Sequence, residues 1–189
     1  MRTLGERFDR AFALASSLHR DQRRKASDIP YVSHLMAVAA LVLEHGGGED
    51  DAIAALLHDA AEDQGGLATL ERIRVEFGPR VAELIAGASD TFESPKPAWR
   101  ARKERYLAHL READEAALRL SLADKLHNAR CTLVDVRAQG SAAWQRFSGG
   151  REGTLWYLGS VADIGRERGV HASLVRELDE VVALLRREG

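Results

Sequence analysis

The sequence predicts an all-α protein of about eight to ten helices, organised as one domain over residues 1–189. Three observations carry this reading. Apolar residues recur at three- and four-residue spacing through nearly every segment. No run alternates apolar and polar residues as a half-buried strand does. Helix-ending signals separate the segments at 46–48, 65–66 and 78–79. The 189 residues are 45% hydrophobic and 30% charged, which suits a substantial core and excludes a disordered chain.

The elements follow in order. Phe8, Phe12, Ala15 and Leu18 form the apolar stripe of a first helix, and a loop covers 20–30. A second helix over 33–44 turns Leu35, Val38, Ala39 and Val42 to the core and ends before Gly46, Gly47 and Gly48. A third begins near Asp50, buries Ile53, Leu56 and Leu57, and stops near Gly65 and Gly66. Short helices over 67–77 and 79–88 are split at Gly78 and Pro79. A loop with two prolines covers 89–97, and helices follow over 99–111 and 115–137. The remainder, through Trp156, Tyr157 and Leu158 to a last segment at 175–187, also reads as helix, with no internal repeat or linker.

Bulk properties exclude several classes. A net charge of −2 argues against a dedicated nucleic-acid binder. Cys131 is the one cysteine, so there is no internal disulfide and no thiolate zinc cluster, as in a reducing cytoplasm. The opening MRTLGER lacks the apolar run of a signal peptide. No stretch of about 18 apolar residues exists, so no membrane partner is expected.

The third helix carries the chemistry, in the run AALLHDAAED at 54–63. At about 100° per residue, His58, Asp59, Glu62 and Asp63 of one continuous helix share an arc of about 140°. Aspartate is a poor helix former, and negative charge near a helix C-terminus opposes the dipole. Four ionisable groups in an alanine-rich helix therefore point to a metal site with acid–base groups beside it. A bare His-Asp doublet arises by chance in about half of chains of this composition, so partners decide. His34 stands early in the second helix; taken alone it reads as a core histidine. On the helix over 115–137, Asp124, Asn128, Cys131 and Asp135 form one stripe. Asp135 reads as a solvated charge. Asp124 sits among apolar neighbours, and a buried aspartate needs a cation or hydrogen bonds. Two histidines and two aspartates form a mixed nitrogen–oxygen set, suited to manganese, iron or zinc better than to calcium. Arg20, Arg23, Arg24 and Lys25 cluster in the loop before His34, where a phosphate clamp would sit. Arg100, Arg102, Lys103 and Arg105 read as surface. There is no phosphate-binding G-x-x-x-x-G-K-[ST] or G-x-G-x-x-G loop.

The order of these motifs resembles the HD-domain metal phosphohydrolases, and within them the hydrolase domain of RelA/SpoT homologues and the stand-alone small alarmone hydrolases. The matching stretches are RK at 24–25, PYVSH at 30–34, AALLHDAAED at 54–63, FGPRVA at 77–82 and LADKLHNAR at 122–130, within a motif core at about 15–137. The resemblance implies an HD-type helical bundle holding one Mn²⁺, or another divalent transition metal, through His34, His58, Asp59 and Asp124. It implies that Glu62 and Asp63 position and activate the attacking water, that Arg24 and Lys25 line a nucleotide pocket, and that Asn128 lies near the ribose with Cys131 near the base. The implied activity is 3′-pyrophosphohydrolysis of (p)ppGpp- or (p)ppApp-type alarmones, the nucleotides of the stringent response, in the cytoplasm. A synthetase domain follows in larger homologues, and none is expected in a chain ending at Gly189. Three positions depart from the family: Leu35 replaces the proline after His34, Ala26 replaces a small polar residue, and Cys131 replaces threonine. The last two bear on the base and place adenosine alarmones beside guanosine ones. Two other readings use the same fold. A nucleotidase or NADPH 2′-phosphatase would release orthophosphate, whereas a non-catalytic nucleotide-binding module would turn nothing over.

Overall fold

Buried apolar faces of consecutive helices organise the chain into two compact units, residues 1–96 and 97–189, in a computed structural model that describes residues 3–91 and 95–188. The expected loop at 89–97 falls partly on 92–94, outside the described residues. Among the described residues the only β-pairing is one isolated bridge between Arg23 and Pro30, so the all-α expectation holds. No helix among them is long and apolar enough to cross a membrane.

The first unit contains α1 (Glu6–Leu18), α2 (Val32–Glu44), α3 (Glu49–Leu57), the single turn α4 (Ala60–Asp63), α5 (Gly66–Phe77) and α6 (Pro79–Ala88). α3 is the centre of this unit and packs on α1, α2 and α6. Its residues Ala52, Ile53, Ala54, Ala55, Leu56 and Leu57 are all buried, because an Ala- and Leu-rich helix has no polar stripe to present to water. α2 contributes Leu35, Val38, Ala39 and Val42 to the core, as its spacing predicts. α1 is rotated from the expected stripe. Ala11, Leu14 and Ala15 are its buried residues, while Phe12 is exposed. Small residues face inward where α1 packs on α3, Phe8 is half-buried, and Phe12 lies off the buried face. After α2 the Gly47 amide closes on the Val42 carbonyl at 2.8 Å, so the glycine run ends a helix.

The expected continuous third helix is interrupted. α3 ends at Leu57, and His58 and Asp59 form a turn before α4. The His58 Nδ1 bonds the Ala55 carbonyl at 2.8 Å, and a side chain competing for a helix carbonyl is a recognised way to break the ladder. Asp59 then relaxes to ψ −5°. The segment ends at Gly65, where φ is +115° and a Cβ would lie 2.6 Å from Thr69 Oγ1.

The second unit contains α7 (Trp99–Glu112), α8 (Glu115–Gln139), a 3₁₀ turn (Gly140–Arg146), α9 (Gly150–Glu167) and α10 (Ala172–Glu188). Asp114 caps α8 by accepting the Ala117 amide at 2.9 Å. α8 packs on both α9 and α10, burying Leu118, Leu122, Leu126 and Leu133.

Candidate metal and hydrolytic site

Three sequence-predicted metal donors converge in the first unit. One ligand atom each from His34, His58 and Asp59 lies within 4.8 Å of the other two. His34 is placed by the first turn of α2, and His58 and Asp59 by the break after α3. Both histidines are buried, at 1% and 3% exposure, which sets aside a solvated helix end. Their rings meet edge to face at 5.2 Å. His58 Nδ1 donates to the Ala55 carbonyl, which turns Nε2 toward the donor cluster, 3.0 Å from Asp59 Oδ2. His34 Nε2 lies 3.7 Å from the same oxygen. Two imidazole nitrogens and a carboxylate focused on one point are the donor chemistry of a divalent transition-metal site, so the residues fit the ion that the HD pattern implies.

Neighbouring groups hold these donors in place. The Tyr31 hydroxyl donates to Asp59 Oδ2 at 2.6 Å. The Tyr31 ring meets His34 edge-on at 5.6 Å, and the Arg24 guanidinium lies over it at 5.6 Å. Arg24 is thus placed beside the donor cluster through one aromatic ring, whereas Lys25 is exposed in the loop.

The carboxylate pair divides into two environments. Glu62 Oε1 accepts from Lys96 Nζ at 2.7 Å, and its Oε2 from the Asp90 amide at 3.2 Å. Asp63 Oδ2 accepts from Gln22 Nε2 at 2.8 Å. Asp63 is exposed as a residue, but partial desolvation of its carboxyl, with the Asp59 charge, raises its pKa above the ordinary carboxylate value. The Gln22 bond opposes that rise, Glu62 adds to it, and Lys96 opposes it. A carboxylate poised upward beside a metal site suits proton acceptance. Glu62, neutralised by a lysine, suits orientation.

Asp124, Asn128 and Cys131 lie on α8 in the second unit. Asp124 is buried, and both of its oxygens are satisfied: Lys125 Nζ donates to Oδ2, and Asn128 Nδ2 to Oδ1 at 2.5 Å. Burial opposes the Lys125 charge, yet Asp124, Tyr106 and Tyr157 hold its pKa well above the ordinary lysine value. Its ammonium lies over the Tyr106 and Tyr157 rings at 5.1 and 5.7 Å. Cys131 Sγ lies 3.7 Å from His127 Nε2. Asp135 pairs with Arg146, consistent with its reading as an ordinary charge.

Sequence reasoning assigned no role to Tyr31, Gln22 or Lys96. Gln22 lies in the basic loop and Tyr31 in the PYVSH stretch, so proximity to His34 was a usable signal. Lys96, 34 residues from Glu62, had none.

The HD domain family matches residues 11–155, a stretch that runs through parts of both units. A guanosine-3′,5′-bis(diphosphate) 3′-pyrophosphohydrolase MESH1 of Xenopus tropicalis is 36% identical over 119 residues, 61% of this chain and 64% of that protein. A guanosine-3′,5′-bis(diphosphate) 3′-pyrophosphohydrolase of Aquifex aeolicus is 34% identical over 129 residues, 68% of this chain and 18% of that protein. The chain therefore spans just under two thirds of the first relative and less than a fifth of the second. A solved structure described as a metazoan ortholog of SpoT that hydrolyzes ppGpp aligns with a TM-score of 0.80 and 28% identity, covering 100% of this chain and 99% of that one. With the family match extending over most of its length and the His-Asp donors gathered at one point, this chain belongs to the HD-domain family.

Proposed function

We propose that the protein is a Mn²⁺-dependent 3′-pyrophosphohydrolase of guanosine alarmones such as ppGpp, with adenosine alarmones as second substrates, acting in the cytoplasm as one HD domain built from both units. The observation that carries this reading is the His34, His58 and Asp59 donor cluster with the Asp63 carboxylate one turn further on. The names borne by relatives at 34–36% identity support the substrate class. The HD pattern assigns Asp124 as the fourth ligand, Asn128 to the ribose and Cys131 to the base.

When bound, the metal supplies Lewis acidity to water and to a phosphate oxygen. Asp63 takes the proton of the attacking water, and Glu62, held by Lys96, orients it. The water oxygen forms the new bond to the 3′-linked phosphorus. The bond to the ribose oxygen breaks, that oxygen takes up a proton returned from Asp63 through solvent and leaves as the 3′-hydroxyl, and pyrophosphate departs. Arg24 and Lys25 offset the phosphate charge.

The test is purified protein with MnCl₂ and a panel of ppGpp, pppGpp, ppApp, NADPH and simple nucleotides, with products resolved by ion exchange. Pyrophosphate from an alarmone is expected. Orthophosphate from NADPH or a simple nucleotide, without pyrophosphate, would replace this reading by the phosphatase one, and binding without turnover by the non-catalytic one. Glu62→Ala is expected to retain Mn²⁺ and lose turnover.

A further inference from the structure

Gln22 lies in the loop after α1, and the network around it determines its orientation. Its backbone is pinned at both ends: its amide donates to the His19 carbonyl at 3.1 Å, and its carbonyl accepts the Tyr31 amide at 3.0 Å. A carboxylate oxygen can only accept, so the side-chain nitrogen must face Asp63, to which it donates at 2.8 Å. The amide oxygen therefore faces His19 Nδ1 at 2.6 Å and Gln64 Nε2 at 2.8 Å. Two lone pairs meet two donors, which requires the His19 proton on Nδ1 and leaves no room for the flipped amide. His19 is itself closely packed. It is 1% exposed, and its ring stacks on Tyr31 at 5.3 Å with 22° between planes. The same Tyr31 bonds Asp59. One imidazole–phenol stack, its imidazole buried and its phenol half-buried, thus anchors both a metal donor and, through Gln22, the adjacent carboxylate.

We infer that Gln22, oriented by His19 and Gln64, is a positioning residue that sets the direction of the Asp63 carboxylate. The inference rests on the proposed function, in which Asp63 is the proton acceptor. Gln22 touches neither substrate nor metal in this account and acts only through Asp63.

The test is a double-mutant cycle with two readouts, turnover of ppGpp with Mn²⁺ and thermal unfolding in EDTA. Gln22→Leu is expected to lower kcat about tenfold to a hundredfold, the range for losing a hydrogen bond to a charged group, with KM and Mn²⁺ affinity within about twofold. In an Asp63→Ala background the same change should have no further effect, because the group it serves is gone. Gln22→Glu preserves the volume and the bonds from His19 and Gln64 but cannot donate, so it should fail to restore turnover. Losses that multiply in the cycle, or full activity with Gln22→Glu, would overturn the positioning role while leaving the proposed function standing. An inactive parent protein would overturn the proposed function instead. The unfolding cycle then judges the contact: coupled losses support it, and additive ones overturn it.

Discussion

The donor cluster depends on side chains that are not themselves donors. Asp59 Oδ2 receives the Tyr31 hydroxyl at 2.6 Å, and outer-shell bonds of this kind fix a ligand's direction before metal arrives. Tyr31→Phe removes one hydroxyl and leaves the ring stack with His19. We expect Mn²⁺ affinity to fall about 10- to 100-fold by calorimetric titration, and an unchanged affinity would assign the bond no role. Asp63 allows a second prediction, for metal-free protein. Desolvation and the Asp59 charge raise its pKa in the folded state. Folding therefore disfavours the ionised form, and Asp63 lowers stability at pH values above the raised pKa. As pH falls through that pKa the carboxyl becomes protonated and the penalty disappears. In EDTA, Asp63→Asn should melt higher than the parent at neutral pH, with the difference shrinking as pH drops into the carboxylate range. A difference that grows on acidification would reverse the assigned sign.

At the scale of elements, most helices are readable because glycine, proline and apolar spacing are local properties. The boundary between α5 and α6 at Gly78 and Pro79 is an example. The break at His58 and Asp59 is not readable in this way, since a single bond from His58 to the Ala55 carbonyl makes it. The rotation of α1 is likewise decided by its neighbour: α3 offers a small-residue face, so Ala11 and Ala15 face inward and Phe12 does not. In the second unit, α9 shows how close packing overrides propensity. A Cβ on Gly165 would lie 2.5 Å from Val175 Cγ2 and 3.4 Å from Leu122 Cδ1, in a buried α9–α10 contact. Overpacking costs about 1–3 kcal/mol, whereas alanine gains about 1 kcal/mol in helix propensity. Gly165→Ala should therefore lose up to about 2 kcal/mol in urea unfolding. Gly159, on the same helix, has only the flexible end of Arg186 nearby, at 3.4 Å. There propensity should win, and Gly159→Ala should gain about 0.5–1 kcal/mol. Equal effects at the two positions would show that packing around Gly165 is looser than the distances imply.

At the scale of the whole molecule, the donors come from separate segments, residue 34 and residues 58–59, so an unfolded chain does not present them together. This is also why their supports escaped the sequence. Tyr31 reaches Asp59 across 28 residues and Gln22 reaches Asp63 across 41, and neither residue type is a metal ligand that spacing alone would flag. A ligand that binds only the folded state stabilises it by mass action. Mn²⁺ at a hundred times its dissociation constant should add about 2.7 kcal/mol. For a chain of 189 residues that corresponds to a rise in melting temperature of about 5–10 °C. EDTA should reverse the rise, and His58→Ala should abolish it without preventing folding. Asp124→Ala examines the proposed fourth ligand by the same measurement. Loss of the Mn²⁺-induced shift in that variant supports ligation by Asp124, while a full shift would leave His34, His58 and Asp59 as the metal's protein ligands and assign Asp124 to its bonds with Lys125 and Asn128.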